Sequence, residues 1–181
     1  KVIFNGNGYS EEWHAEAERR GLPNNRTTVD ALPALESPKA KALFSKFGVL
    51  SERELSARLE IYWERYVKVQ NIEANCAVDI ASTMILPATA RFLGELNKAP
   101  SSRGINATCE KVTGLADSLV DAIDALEHAQ HKAHQAGSVQ AEAGVFVKHV
   151  IPAQEALRTV VERILTGEGY QVATAEDGAE A

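Results

Sequence analysis

The feature that most constrains this chain is a long helical pattern over residues 51 to about 98. It opens on a capping box: the Ser51 hydroxyl can accept from the Glu54 amide while the Glu54 carboxylate reaches back to the Ser51 N–H. Pro87 is the only strong breaker inside the run. At 1.5 Å per residue such a helix spans roughly 70 Å if straight. A domain of this size can bury so long a rod only in an extended bundle or against another subunit. The pattern therefore points to assembly before it points to chemistry. Leu55, Leu59, Tyr62, Tyr66, Val69, Cys76, Ile80 and Thr83 recur at steps of mostly three and four, which predicts a helix–helix seam interrupted by Glu73.

Two further long helices follow. Residues 99–104 form a loop, and residues 106–136 carry Val112, Leu115, Leu119, Ile123, Leu126 and Ala133 on one face. Gly137 and Ser138 make a turn, after which residues 139–165 turn Phe146, Val150, Leu157, Val161 and Ile164 inward. Short connections between long helices predict an up-down antiparallel arrangement. The tetrapeptide Ile85-Leu86-Pro87-Ala88 is echoed by Val150-Ile151-Pro152-Ala153. The two prolines are expected at similar heights on parallel helices, each removing a hydrogen bond and kinking its helix. A shared bend of this kind either shapes a groove or lets the bundle curve around its core.

The first 50 residues read as short elements. Lys1 to Phe4 is a strand candidate, and Asn5-Gly6-Asn7-Gly8 a turn. Ser10 caps a helix over residues 11–20 that Gly21 and Pro23 stop; Thr28 caps another through Leu35. Ser37-Pro38 opens a third, which Gly48 ends. The expected fold class is mainly α: an extended antiparallel helical bundle of three long helices, preceded by short helices and a short N-terminal strand. The expected division is residues 1–50, a linker region of short elements; 51–166, the long-helix bundle; and 167–181, a loosely ordered tail.

A net charge of −6 with scattered Lys and Arg argues against a nucleic-acid partner. No run of 18 apolar residues and no signal peptide is visible, so a cytoplasmic protein without a membrane partner is expected. Cys76 and Cys109 lie in helical patterns and read as buried free thiols, with a disulfide between neighbouring helices as the other possibility. A chain that opens at Lys1 without Met and stops at Ala181 in mid-pattern reads as a stretch of a longer protein.

Candidate chemistry is sparse. His128, His131 and His134, with Glu127 beside them, are spaced by three, whereas zinc sites on a helix prefer histidines at i and i+4. They read as solvated residues at a helix C-terminus, where His also suits the dipole. Gly6, Gly8 and Ser10 lack the G-x-G-x-x-G spacing, since residue 11 is Glu, and read as a tight turn. Asn71, Glu73, Asn75 and Asp79 form a polar island in mid-helix. Buried polar groups need partners, and Arg58, Arg65, Tyr66 or a neighbouring subunit could supply them. The island is either a device that sets helix register or a ligand or subunit contact. No catalytic, cofactor-binding or metal-ligating residue is assigned.

Several stretches resemble a known family. Lys1-Val2-Ile3-Phe4-Asn5-Gly6, Tyr9-Ser10-Glu11-Glu12-Trp13 and Glu18-Arg19-Arg20-Gly21-Leu22-Pro23-Asn24 look like the region after the catalytic core of type III glutamine synthetases. So do Thr27-Thr28-Val29-Asp30-Ala31-Leu32-Pro33, Gly48-Val49-Leu50-Ser51-Glu52-Arg53-Glu54-Leu55, Asn71-Ile72-Glu73-Ala74 and Ile85-Leu86-Pro87-Ala88. The resemblance is dense from Lys1 to Ala88 and extends to about Leu157 through the helical pattern and the second proline motif. It implies that the intact parent is an ATP- and Mg²⁺-dependent glutamate–ammonia ligase acting through a γ-glutamyl phosphate in a large homo-oligomer. The metal-binding glutamates and nucleotide-site residues of that family are expected upstream of Lys1, so none is carried over. The implied role of this stretch is structural and oligomerising, non-catalytic by itself, with the catalytic core and sister subunits as partners.

Residues 154–181 are instead similar to part of a response-regulator receiver domain, in Ala156 to Leu165 and Gly169 to Ala181. The family's acidic pair and phosphoacceptor Asp have no counterpart there, which excludes a working receiver. Two explanations stand at this point: a fusion, frameshift or assembly artefact after Pro152, or chance likeness of an amphipathic helix and a Gly-Tyr strand signal. The alternative function, suggested by His128, His131, His134 and this tail, is a stand-alone helical-bundle signalling module such as a histidine phosphotransfer protein. Lys132 and Gly137 fit that module poorly, and the short elements of residues 1–48 have no place in it.

Overall fold

The computed structural model describes residues 3–167. Its element order is α1 (Glu11–Arg19), α2 (Thr28–Glu36), α3 (Pro38–Lys46), α4 (Glu52–Ile80), a π-helical turn (Ala81–Ile85), α5 (Leu86–Leu96), α6 (Arg103–His134), α7 (Val139–Val145), a second π-helical turn (Phe146–Val150) and α8 (Ile151–Gly167). The fold is mainly α. The chain divides into two compact units, Lys1–Tyr62 and Trp63–Ala181.

In the first unit, local capping sets each element. Ser10 accepts from Trp13 N–H and starts α1; Gly21, at φ +68°, lets Leu22 N–H bond back to the Ala17 carbonyl and ends it. Thr27, not Thr28, is the cap of α2, accepting from Asp30 N–H at 3.1 Å and donating to its carboxylate at 2.7 Å. Ser37 caps α3 with Pro38 at its first position, and Gly48 at φ +62° closes it. The Ser51–Glu54 box forms in full: Ser51 N–H donates to Glu54 Oε2 at 2.8 Å, and Ser51 Oγ accepts from Glu54 N–H at 3.3 Å. Leu32, Leu55 and Leu59 are the buried apolar side chains of this unit.

The expected N-terminal strand is absent among the described residues. A strand needs a partner ladder, and none is present for Ile3 and Phe4. Instead Phe4 stacks on Trp13 with ring centroids 4.8 Å apart, and Arg20, lying over the same indole, donates to the Ile3 carbonyl at 2.7 Å. Arg20, the C-cap residue of α1, thus satisfies a backbone group that a neighbouring strand would otherwise satisfy.

In the second unit α6 is the central rod. It packs against the α4–α5 side and against α7–α8, burying Leu115, Leu119, Ile123, Leu126, Ala129, Gln130 and Ala133. Also buried in this unit are Phe146, Val150, Leu157 and Ile164 from the second π-helical turn and α8, and Trp63, Val67, Ala74, Ala81 and Thr89 from α4 to α5. Cys109 approaches Asn97, while Gln130 meets Asn71 and Asn75, so α6 runs antiparallel to α4–α5. Lys132 meets His149 and His134 meets Glu142, which makes it antiparallel to α7–α8 as well.

The expected seam on α4 holds at Leu55 and Leu59, both buried, and fails from Tyr62 onward. Trp63, Val67, Ala74 and Ala81 face inward, whereas Tyr62, Val69, Cys76, Ile80 and Thr83 are exposed and Tyr66 is half-buried. Ala74 and Ala81 carry little apolar signal, so the exposed Tyr62, Val69 and Ile80 dominate the sequence pattern. Cys76 is accordingly an exposed free thiol and Cys109 a half-buried one, correcting the expectation of two buried thiols.

Each proline motif sits just after a π-helical turn. Leu86 N–H reaches back five residues to the Ala81 carbonyl, and Ile151 N–H to that of Phe146. A proline ring in an α-helix clashes with the carbonyl four residues before it; one extra residue in the preceding turn moves that carbonyl away. The hydroxyls of Ser82, Thr83 and Thr89 donate to the Val78, Asp79 and Ile85 carbonyls and satisfy the loosened backbone. The two prolines are not level. The contacts of α6 set Pro87 opposite about residue 118 and Pro152 opposite about residue 127, roughly 14 Å along the rod.

Candidate functional site

The histidine cluster does not converge. His128, His131 and His134 are exposed; His131 pairs with Gln135 at 2.9 Å and His134 with Glu142 at 2.9 Å. Lys132 Nζ lies 3.1 Å from His149 Nε2, a contact of α6 with the second π-helical turn that sequence spacing does not reveal. Among the described residues no group of three His, Cys, Asp or Glu side chains could hold a metal ion. The residues present do not fit the Mg²⁺ that the resemblance implies for an intact enzyme. Gly6 lies under the Phe4 ring, where a Cβ would meet ring atoms at 2.6 Å; this turn serves packing.

The polar island resolves into two parts. Gln130, buried on α6, donates its amide to Asn71 Oδ1 at 3.1 Å and to Asn75 Oδ1 at 2.7 Å. These acceptors stand one turn apart on α4, so a slip of either helix by a turn breaks one bond or both. Gln130, which sequence spacing does not single out, supplies a donor to both asparagines from α6. Glu73 and Asp79 point outward; Glu73 accepts from Gln70 at 3.1 Å.

What remains is an apolar outer surface. Val69, Ile72, Ile80 and Met84 are 42%, 61%, 49% and 61% exposed, with Cys76 between them. At steps of three and four they make one continuous face of α4 and the first π-helical turn. Beside it runs an open groove of about 330 Å³, lined by Ala77, Ile80, Ile151, Leu157 and Val161 and edged by Glu73 and Arg158. By length and composition the continuous helix Glu52–Leu96 could cross a membrane. Glu73, Asp79 and Arg91 stand exposed on it, and each acid or arginine at a bilayer centre costs about 2.5–3.5 kcal/mol. The face is suited to protein.

The family model for the glutamine synthetase C-terminal domain matches residues 1–103. The chain belongs to the glutamine synthetase C-terminal domain family. It is 44% identical over 105 residues to a type-3 glutamine synthetase of Dictyostelium discoideum, covering 58% of this chain and 14% of that protein. It is 42% identical over 74 residues to a glutamine synthetase of Butyrivibrio fibrisolvens, covering 41% of this chain and 11% of that one. A glutamine synthetase of Bacteroides fragilis (strain YCH46) is 36% identical over 95 residues, 52% of this chain and 13% of its own length. The chain thus spans about one-seventh or less of the relatives it matches. This glutamine synthetase C-terminal domain contains α1 to α5 within the matched region; α6 begins at its last residue, and α7 and α8 lie beyond it. The receiver likeness falls on α8 and on residues 168–181, of which the latter lie outside the described residues.

Proposed function

We propose that this chain is a structural and assembly element of a type III glutamine synthetase. In the intact protein the reaction is the ATP- and Mg²⁺-dependent joining of ammonia to glutamate, in the cytoplasm. The catalytic groups belong to the rest of that polypeptide, and the partners of this region are the catalytic core and sister subunits. The supporting observation is the exposed apolar face on α4, inside the region that matches the family. An apolar stripe of this length on a monomer marks an interaction site.

The test uses the Dictyostelium type-3 enzyme. Deleting the region similar to residues 1–103 should reduce particle size in light scattering and abolish glutamine formation. Replacing it with residues 1–103 of this chain should restore the particle. Full-size particles after the deletion would overturn the structural reading. The chain alone, given ATP, Mg²⁺, glutamate and ammonia, is expected to form no glutamine; turnover would overturn the non-catalytic assignment.

A further inference from the structure

The outer face of α4 carries a second pattern besides its apolar stripe. Acids and bases are mixed along it, Glu60 and Glu64 included, but two opposite charges stand in line with the stripe. Arg65 and Lys68 stand on the N-terminal side of Ile72, and Glu73 and Asp79 on the C-terminal side, all exposed. Lys68 is held by Glu64 at 2.9 Å and Glu73 by Gln70. The side chains of Arg65 and Asp79 have no ion-pair partner among the described residues. They lie seven residues before and seven after Ile72, which is two helical turns in each direction and so on the same face.

We propose that this face pairs with the same face of a second copy of the chain, the two α4 helices running antiparallel about a two-fold axis at Ile72. The proposal rests on the assembly reading above and names its surface, partner and register. A two-fold axis makes residue contacts reciprocal. With the axis at Ile72, Arg65 of one copy meets Asp79 of the other, twice. Val69 and Cys76 flank the central Ile72 contact, and Ile80 and Met84 extend the apolar strip outward. A parallel pairing would set Arg65 against Arg65 and Asp79 against Asp79, and like charges across an interface are rejected. The Arg65–Asp79 pair, symmetric about Ile72, therefore favours an antiparallel second copy over a parallel one. A lipid surface offers no such complement to Asp79.

The test is sedimentation equilibrium of the full chain, with helicity followed by circular dichroism. The wild-type chain should self-associate to a dimer. Ile72→Asp should weaken the dimer by about 100-fold, as expected at the centre of an interface, with helicity unchanged because Ile72 is 61% exposed. Arg65→Asp alone and Asp79→Arg alone should each weaken it by about tenfold. The double variant Arg65→Asp/Asp79→Arg should return to wild-type affinity. That rescue is specific to the antiparallel register. A wild-type chain that stays monomeric, or single variants that the double does not rescue, overturns self-pairing while leaving the assembly reading to the Dictyostelium experiment. Co-flotation of the chain with phosphatidylcholine–phosphatidylglycerol vesicles, lost in Ile72→Asp, would overturn it in favour of a membrane.

Discussion

Individual residues decide where elements start and what they tolerate. Glu16 is bound by both Arg19 and Arg20, each contact at 2.6 Å, and its carboxyl is pulled down to about 2, mainly by the Arg19 and then the Arg20 hydrogen bonds. A depressed folded value means that this cluster supports α1 fully above the ordinary carboxylate range and loses that support as pH falls toward 2. Carboxyl carbon shifts in an NMR titration should place Glu16 well below the other glutamates, and Arg19→Gln should raise it; an ordinary midpoint in the intact chain would remove the cluster. The Ser51–Glu54 box holds Glu54 below its usual value through the Ser51 backbone and hydroxyl hydrogen bonds. Gln130 is the buried polar residue with most at stake. Gln130→Ala leaves two asparagine oxygens without their donor and should cost about 1–2 kcal/mol in urea unfolding. A change within 0.3 kcal/mol would mean that water replaces it fully.

At the scale of elements, α4 shows which signals a sequence carries. Its start was legible because a cap is local chemistry, and so were the inward faces of α6 and α8, where large aliphatics repeat. Its own inward face was not. Trp63, Val67, Ala74 and Ala81 are outnumbered by the apolar residues pointing away, and alanines carry too weak an apolar signal to mark a buried face. The consequence is measurable. Ala74→Leu, at a fully buried site, should destabilise by about 1–3 kcal/mol through overpacking, while Ile72→Ala two residues earlier should stay within about 0.5 kcal/mol in the monomer. Thermal melts that rank the two the other way would mean the helix is rotated. The π-helical turns were equally hidden. The repeated Ile/Val-Leu/Ile-Pro-Ala motif announced two irregularities, but not that each is an inserted residue ahead of the proline ring.

Across the whole molecule, stability in the unit Trp63–Ala181 comes from apolar side chains meeting around α6. Phe146, Leu119, Leu126 and Leu157 are among its largest fully buried groups. Phe146→Ala should cost about 3–5 kcal/mol, read as a lower urea midpoint. A loss below 1 kcal/mol would show that the second π-helical turn can collapse onto α6. Family membership was also legible, since 1–103 carries dense local motifs of turns, caps and helix starts.

The sequence by itself determined the mainly α class, the cap residues, the inward faces of α6 and α8 and the family, because these depend on short-range spacing and residue chemistry. Only the tertiary structure decided that Ile3 and Phe4 pack on α1 instead of forming a strand, that Gln130 answers the polar island, and that the prolines stand at different heights. It also decided which face of α4 is inside. Spacing fixes the angle between residues on one helix; which angle points inward depends on the neighbour that packs there. Here that neighbour takes the alanines and leaves Val69, Ile72, Ile80 and Met84 facing outward.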